Sequence, residues 1–213
     1  MAKVAPSLLA ADFLHLDKEV ELVNRHADLL HVDVMDGVFV PNISIGFPVV
    51  EKVAAASTKP LDVHLMIVDP ARYALKFASI KGVGMVSFHL EACPKPVELL
   101  AALRTAGVKA GLVINPDIPV TALFPYLDKC DYILLMSVFA GFGGQKLIED
   151  TYDRIRCLKS EIKRRGLDVE IEVDGGVNMQ NAPLLVSSGV DIIVAGTAVF
   201  RANDPASAVE ALR

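Results

Sequence analysis

Leu29-Leu30-His31-Val32-Asp33-Val34, followed by Met35-Asp36-Gly37, sets polar groups at alternate positions of an apolar run. This pattern reads as a strand with His31 and Asp33 on one face, because strand residues two apart point the same way. An imidazole beside a carboxylate is half of a metal site. Candidates for the other half lie far off in sequence: His64 in Asp62-Val63-His64-Leu65-Met66, and Asp174 in Glu172-Val173-Asp174-Gly175-Gly176.

Outward from this run, short β-rich segments alternate with longer segments of helical period. The strand candidates are Val4 to Leu9, Leu29 to Val34, Leu61 to Met66, Gly84 to Leu90, Val108 to Ile114, Tyr132 to Val138, Val169 to Val173 and Asp191 to Ala195. Between them lie helix candidates at Leu14 to His26, Pro48 to Ala56, Pro70 to Ile80, Pro94 to Ala106, Pro119 to Tyr126, Glu149 to Arg165, Asn181 to Ser188 and Asp204 to Leu212. Several open on proline, which suits a first helical turn. Strict βα alternation argues for a parallel sheet with helices outside, and eight repeats match an α/β fold of the (β/α)8, or TIM, barrel type. A doubly wound open sheet is the structural alternative. One domain spanning residues 1–213 is expected. In such a barrel the chemistry sits at the carboxyl ends of the strands, where Ser7, His31, Asp33, His64 and Asp174 all fall.

Composition narrows the class. The chain is 53% hydrophobic with a net charge of −5. Its basic residues cluster only locally, as in Lys159 to Arg165, so nucleic acid is not an expected partner. Cys93, Cys130 and Cys157 are odd in number and form no C-x-x-C pair, which implies neither a disulfide framework nor a cysteine zinc site. No apolar run reaches the roughly 18 residues of a membrane span, and the start lacks a long apolar signal region. A soluble, cytoplasmic protein is the expectation.

Two imidazoles and two carboxylates suit Zn(II), Fe(II), Mn(II) or Co(II) better than Ca(II) or Mg(II). A lone histidine near a strand end is more often a hydrogen-bonded core residue, but a barrel would carry strands two, three and seven around one mouth. His31, Asp33, His64 and Asp174 would then converge. His15 and His26 fit a surface helix, and His89 reads as a barrel-mouth residue without a ligand role. Met35 continues the parity of His31 and Asp33, Met66 that of His64, and Met136 lies near the end of strand six. Methionines usually fill cores; here they can equally line a pocket above the metal and exclude water.

Gly141-Phe142-Gly143-Gly144, Gly175-Gly176-Val177-Asn178 and Gly196-Thr197 follow strands six, seven and eight. Turn chemistry would explain any one of them. Together they suit a phosphate site built from backbone N–H groups, which this fold often carries after strands seven and eight. No G-x-G-x-x-G or G-x-x-x-x-G-K-[ST] pattern is present, so dinucleotide and triphosphate binding lack support.

With these residues in view the chain resembles the ribulose-phosphate 3-epimerase family of the pentose phosphate and Calvin routes, over essentially its whole length. The similar blocks are Ala5 to Asp12, His31 to Gly37 with Phe39-Val40-Pro41-Asn42, Asp62 to Met66, Gly141 to Gln145 and Val173 to Val177. The resemblance implies a ribulose-phosphate-binding barrel in which His31, Asp33, His64 and Asp174 bind one divalent metal, Asp33 accepts a proton and Asp174 donates one. It also implies substrate contacts from Ser7, His64, Gly141, Phe142, Gly143, Gly144, Asp174, Gly175, Gly176, Gly196 and Thr197. The implied reaction interconverts D-ribulose 5-phosphate and D-xylulose 5-phosphate through a metal-stabilised enediolate. The chain departs from the family at Phe139-Ala140, where a polar residue and then proline are usual, and at Thr197, where serine is more usual. The first departure keeps epimerisation of a hexulose 6-phosphate, such as D-allulose 6-phosphate, as an alternative. A non-catalytic phosphosugar-binding barrel is another; a lysine-using decarboxylase or synthase is disfavoured because no lysine occupies the metal-bearing strand ends. A homo-oligomer is expected, since helix faces of a barrel often mediate assembly.

Overall fold

The computed structural model describes residues 1–213. In chain order the strands are β1 (Lys3–Pro6), β2 (Leu30–Met35), β3 (Leu61–Met66), β4 (Val83–His89), β5 (Lys109–Ile114), β6 (Tyr132–Met136), β7 (Glu170–Asp174) and β8 (Ile192–Ala195). The helices are α1 (Leu16–His26), α2 (Phe47–Ala56), α3 (Pro70–Ala78), α4 (Pro96–Thr105), α5 (Thr151–Arg165), α6 (Ala182–Ser188), α7 (Thr197–Phe200) and α8 (Pro205–Ala211). All strands pair in parallel in the order β1-β8-β7-β6-β5-β4-β3-β2. A parallel bridge between Ser7 and His31 joins the two ends, so the sheet closes as a barrel.

Prolines lie in the first turn of α2, α3, α4, α6 and α8, where a missing N–H costs no helical hydrogen bond. The fifth expected helix differs. Val120–Lys129 is a succession of 3-10 turns rather than an α-helix, with Pro125 inside it. Proline removes an i→i−4 donor and clashes with the preceding turn, so the segment cannot wind as a regular α-helix. The short α7 after β8 was not expected from the sequence; at four residues it carries too little periodicity to register.

Strand parity separates two interiors. On β2, Leu30, Val32 and Val34 join a 52-residue apolar cluster between strands and helices. Their neighbours His31, Asp33 and Met35 take the opposite face, inside the barrel. There a small apolar group, Ala5, Leu29, Met85, Tyr132, Ile192 and Val194, packs toward the amino-terminal ends of the strands. Gly111 on β5 leaves room for the Tyr132 ring, since a Cβ at that position would lie 2.3 Å from a ring carbon. Above this floor the interior is polar: Asp62, His64, Ser87, His89 and Glu172 are all fully buried.

Candidate active site

Register sets the site. β2 and β3 pair with His31 opposite Asp62, Asp33 opposite His64 and Met35 opposite Met66, while β6 and β7 pair Met136 with Asp174. Each pair is a rung at nearly the same height, so the chemistry stacks in layers: His31 with Asp62 deepest, Asp33 with His64 above them, and Met35 with Met66 nearest the mouth, while Met136 shares a rung with Asp174.

The structure brings His31, Asp33, His64 and Asp174 together, with one donor atom from each inside a sphere where all lie within 4.8 Å of one another. His31 Nε2 is 3.3 Å from Asp33 Oδ1, and His64 Nδ1 is 3.4 Å from the same oxygen. These three atoms are buried and lack any hydrogen-bond partner. Buried polar atoms are rarely left so, because desolvation without a partner costs roughly 1–3 kcal/mol each. Three of them aimed at one point, on N and O donors of borderline hardness, fit a divalent cation.

The other atom of each group is already taken. Asp33 Oδ2 accepts a hydrogen bond from Ser7 Oγ at 2.6 Å. His31 Nδ1 lies 2.6 Å from Asp62 Oδ2, and Tyr132 donates its hydroxyl to Asp62 Oδ1 at 3.1 Å. A proton on Nδ1 held by Asp62 leaves Nε2 of His31 as the nitrogen that faces the ligand position, once it gives up any proton of its own. His64 Nε2 is 3.0 Å from His89 Nε2.

Charges are arranged unequally. Burial opposes ionisation of Asp33, but the facing His31 and His64 outweigh it and hold its carboxyl far below the ordinary range. Burial would lower His31, yet the flanking Asp33 and Asp62 carboxylates raise it well above the usual histidine value. Asp174 moves the other way, pushed up to about 7 by burial and by the Asp33 charge. Glu172, deeper on β7, is raised well above its ordinary value by burial and by Asp62. The two carboxyls on the cavity are therefore pushed in opposite directions in the metal-free chain, Asp33 down and Asp174 up.

Asp33 and Asp174 line a cavity of about 570 Å³ that also takes in Ser7, Met35, Met66, Met136, Phe139 to Gln145, Gly175, Gly176, Gly196 and Thr197. All three methionines expected near the pocket lie on it. His31 and His64 do not: neither has any solvent exposure, so His64 sits beneath the cavity rather than on its wall. The loop after β6 is tied down on three sides. Gln145 Nε2 donates to Phe139 O and Phe142 O, Asn42 Nδ2 donates to Gly141 O, and Ala140 N donates to Asn115 Oδ1. Gly176 adopts φ +64° in the next loop, where a Cβ would lie 2.4 Å from Leu147 N; glycine is required on both counts. Asp62, Glu172, Tyr132 and the His64–His89 contact were not anticipated from sequence. The signal was available for two of them, since Asp62 and Glu172 stand two residues before His64 and Asp174 and so share their faces.

Comparison with known proteins agrees with this geometry. A family model described as the ribulose-phosphate 3 epimerase family matches residues 3–200. Among similar proteins, one named ribulose-phosphate 3-epimerase from Bacillus subtilis (strain 168) is 46% identical over 215 residues, covering 100% of this chain and 99% of the relative. Namesakes from Synechocystis sp. and Helicobacter pylori (strain ATCC 700392 / 26695) are 46% and 43% identical, each covering 99% of this chain and respectively 92% and 96% of their own length. Among solved structures, KGPDC from Streptococcus mutans superposes with a TM-score of 0.74 at 15% identity, covering 100% of this chain and 95% of that one. A mutant tryptophan synthase alpha-subunit from Pyrococcus furiosus does so at 0.73 and 17%, covering 99% and 97%. At such identities the two structures speak for the barrel fold alone.

Proposed function

The chain belongs to the ribulose-phosphate 3-epimerase family and is an epimerase, and we propose that it interconverts D-ribulose 5-phosphate and D-xylulose 5-phosphate by proton transfer at C3. The observation that carries this reading is a pair of carboxyls, Asp33 from β2 and Asp174 from β7, that line one cavity and converge with His31 and His64. Inverting a carbon next to a carbonyl requires removing a weakly acidic proton from one face and returning one to the other. A single base serves both faces poorly; two carboxyls brought in from β2 and β7 serve one each. Asp33, ionised, is the base. Asp174, on the opposite strand β7 and the carboxyl with the higher proton affinity in the metal-free chain, is the acid, and the two exchange roles in the reverse direction.

Ser7 keeps Asp33 aimed through the hydrogen bond to Oδ2. His31, Asp33, His64 and Asp174 would hold one divalent cation, of the Zn(II), Fe(II), Mn(II) or Co(II) kind that their donor set suits. When bound, such a cation supplies Lewis-acid stabilisation of the negative charge that develops on the substrate oxygens. His64 serves in this reading as a ligand from below, not as a substrate contact, because it has no exposed surface. Met35, Met66 and Met136 exclude water around the reacting carbon. Gly143, Gly144, Gly175, Gly176, Gly196 and Thr197 offer backbone N–H groups to the phosphate, which anchors the far end and holds C3 between the two acids. The whole chain, 1–213, acts as one catalytic unit on a small phosphosugar.

The test is an epimerase assay on metal-stripped protein with each cation added back, run side by side on ribulose 5-phosphate and allulose 6-phosphate. Activity lost on stripping, restored by a cation and higher on the pentulose supports the reading. Full activity without metal, or preference for the hexulose, contradicts it.

A further inference from the structure

His89, at the carboxyl end of β4, is fully buried, lies outside the cavity wall and takes no part in the chemistry above. Its Nε2 is nonetheless 3.0 Å from His64 Nε2, with the rings stacked at an interplanar angle of 21°. Phe39 packs on its ring at a centroid distance of 4.7 Å. Two ring nitrogens this close, with no solvent between them, must be one donor and one acceptor. The direction follows from the opposite edge of His64. If Nδ1 gives its lone pair to a cation beside Asp33, the neutral ring must carry its proton on Nε2, and His89 Nε2 must accept it.

His89 then carries its own proton on Nδ1, which makes no hydrogen bond; the Glu91 carboxylate faces it as a charge, with Oε1 3.6 Å away. Glu91 Oε1 in turn accepts from the backbone N and the Nδ2 of Asn115, at 3.0 and 3.2 Å. Asn115 Oδ1 accepts from Ala140 N at 3.1 Å, and Arg154 Nη2 steadies the Asn115 carbonyl at 3.0 Å. The far end of this chain is therefore the loop after β6. Proline has no N–H to give at position 140; alanine does.

We propose that His89 is a positioning residue for His64: it accepts the Nε2 proton and holds the Nδ1 lone pair toward the cation site, with the Glu91 carboxylate, itself held by Asn115, facing the other edge of its ring. The inference rests on the metal centre proposed above, and its test separates the two. Zn(II) affinity is measured by competition with a chromophoric chelator for wild type, His89→Leu and His89→Gln, with thermal melts to verify folding. Loss of an outer partner of a metal-bound histidine typically weakens binding about 10–100-fold, and His89→Leu is expected in that range. His89→Gln, whose amide oxygen can accept the same proton, is expected to recover most of the loss. Should His89→Leu fail to fold, Glu91→Gln at its half-buried position replaces it, with a smaller but measurable weakening expected. Folded His89→Leu with wild-type affinity, His89→Gln as weak as folded His89→Leu, or, where Glu91→Gln is used, its unchanged affinity overturns the relay alone. A wild-type chain that binds no Zn(II) or Co(II) overturns the metal centre and the relay together.

Discussion

Asp33 uses its two oxygens for different purposes: Oδ2 is fixed by Ser7, while Oδ1 stands unpartnered between two histidine nitrogens. Asp174 rises to about 7 because burial and the Asp33 charge outweigh the pull of His31, whereas two histidines hold Asp33 down. On the proposed mechanism an asparagine at either position keeps the shape and removes the proton transfer, so Asp33→Asn and Asp174→Asn should each lower kcat by about 100-fold or more, the usual scale for a lost general acid or base. Steady-state kinetics on metal-loaded variants checks this, and near wild-type turnover removes the role. The same pKa directions make metal binding proton-linked. In the metal-free chain His31 is raised well above its usual value and Asp174 is raised to about 7, so both carry protons that a cation must displace near neutral pH. Affinity should therefore fall as pH drops below about 7, with protons released on binding. Calorimetry in buffers of different ionisation enthalpy measures that release, and buffer-independent heats would contradict it.

At the scale of the element, strand parity does most of the work, and it is also what made the site legible from the sequence. His31 and Asp33, or His64 with Met66, are separated by two, and a strand leaves them no choice but a common face. β3 runs over Leu61–Met66 as the alternation implies, and the other strands differ from expectation by a few residues at their ends. What parity could not convey is what each residue meets across the barrel. His89 reads as one more histidine near a strand end until the structure brings its Nε2 within 3.0 Å of His64 Nε2, although the β3–β4 register pairs His64 with Ser87. Tyr132 looks like an ordinary strand aromatic until Gly111 on β5 is found to make room for it. The 3-10 run over Val120–Lys129 escaped for a local reason, because its apolar spacing imitates a helix and only Pro125 forbids one. The Gly111–Tyr132 fit gives a stability prediction. Gly111→Ala should overpack the barrel floor and cost about 1–3 kcal/mol, read as a lowered denaturation midpoint. An unchanged midpoint would mean that the ring has room to move.

Over the whole molecule, the barrel gathers residues 7, 33, 64 and 174 at one mouth although they are spread along most of the chain. Closure through the Ser7–His31 bridge places the serine just after β1 against Asp33 of β2, so the contact that seals the sheet also fixes the Asp33 carboxylate. No helix is long and apolar enough to cross a membrane. The buried interior beneath the mouth, with Asp62, Glu172 and Tyr132 packed under His31, is an expensive arrangement for stability alone. It makes sense when a site must hold its ligand side chains rigidly through buried partners such as Asp62. The central claim is that these two carboxyls exchange the C3 proton with solvent from opposite faces. Its most direct test is turnover of ribulose 5-phosphate by the metal-loaded chain in D2O, with the product analysed by NMR. The account predicts xylulose 5-phosphate carrying deuterium at C3 and at no other carbon; epimerised product with hydrogen retained at C3 would contradict it.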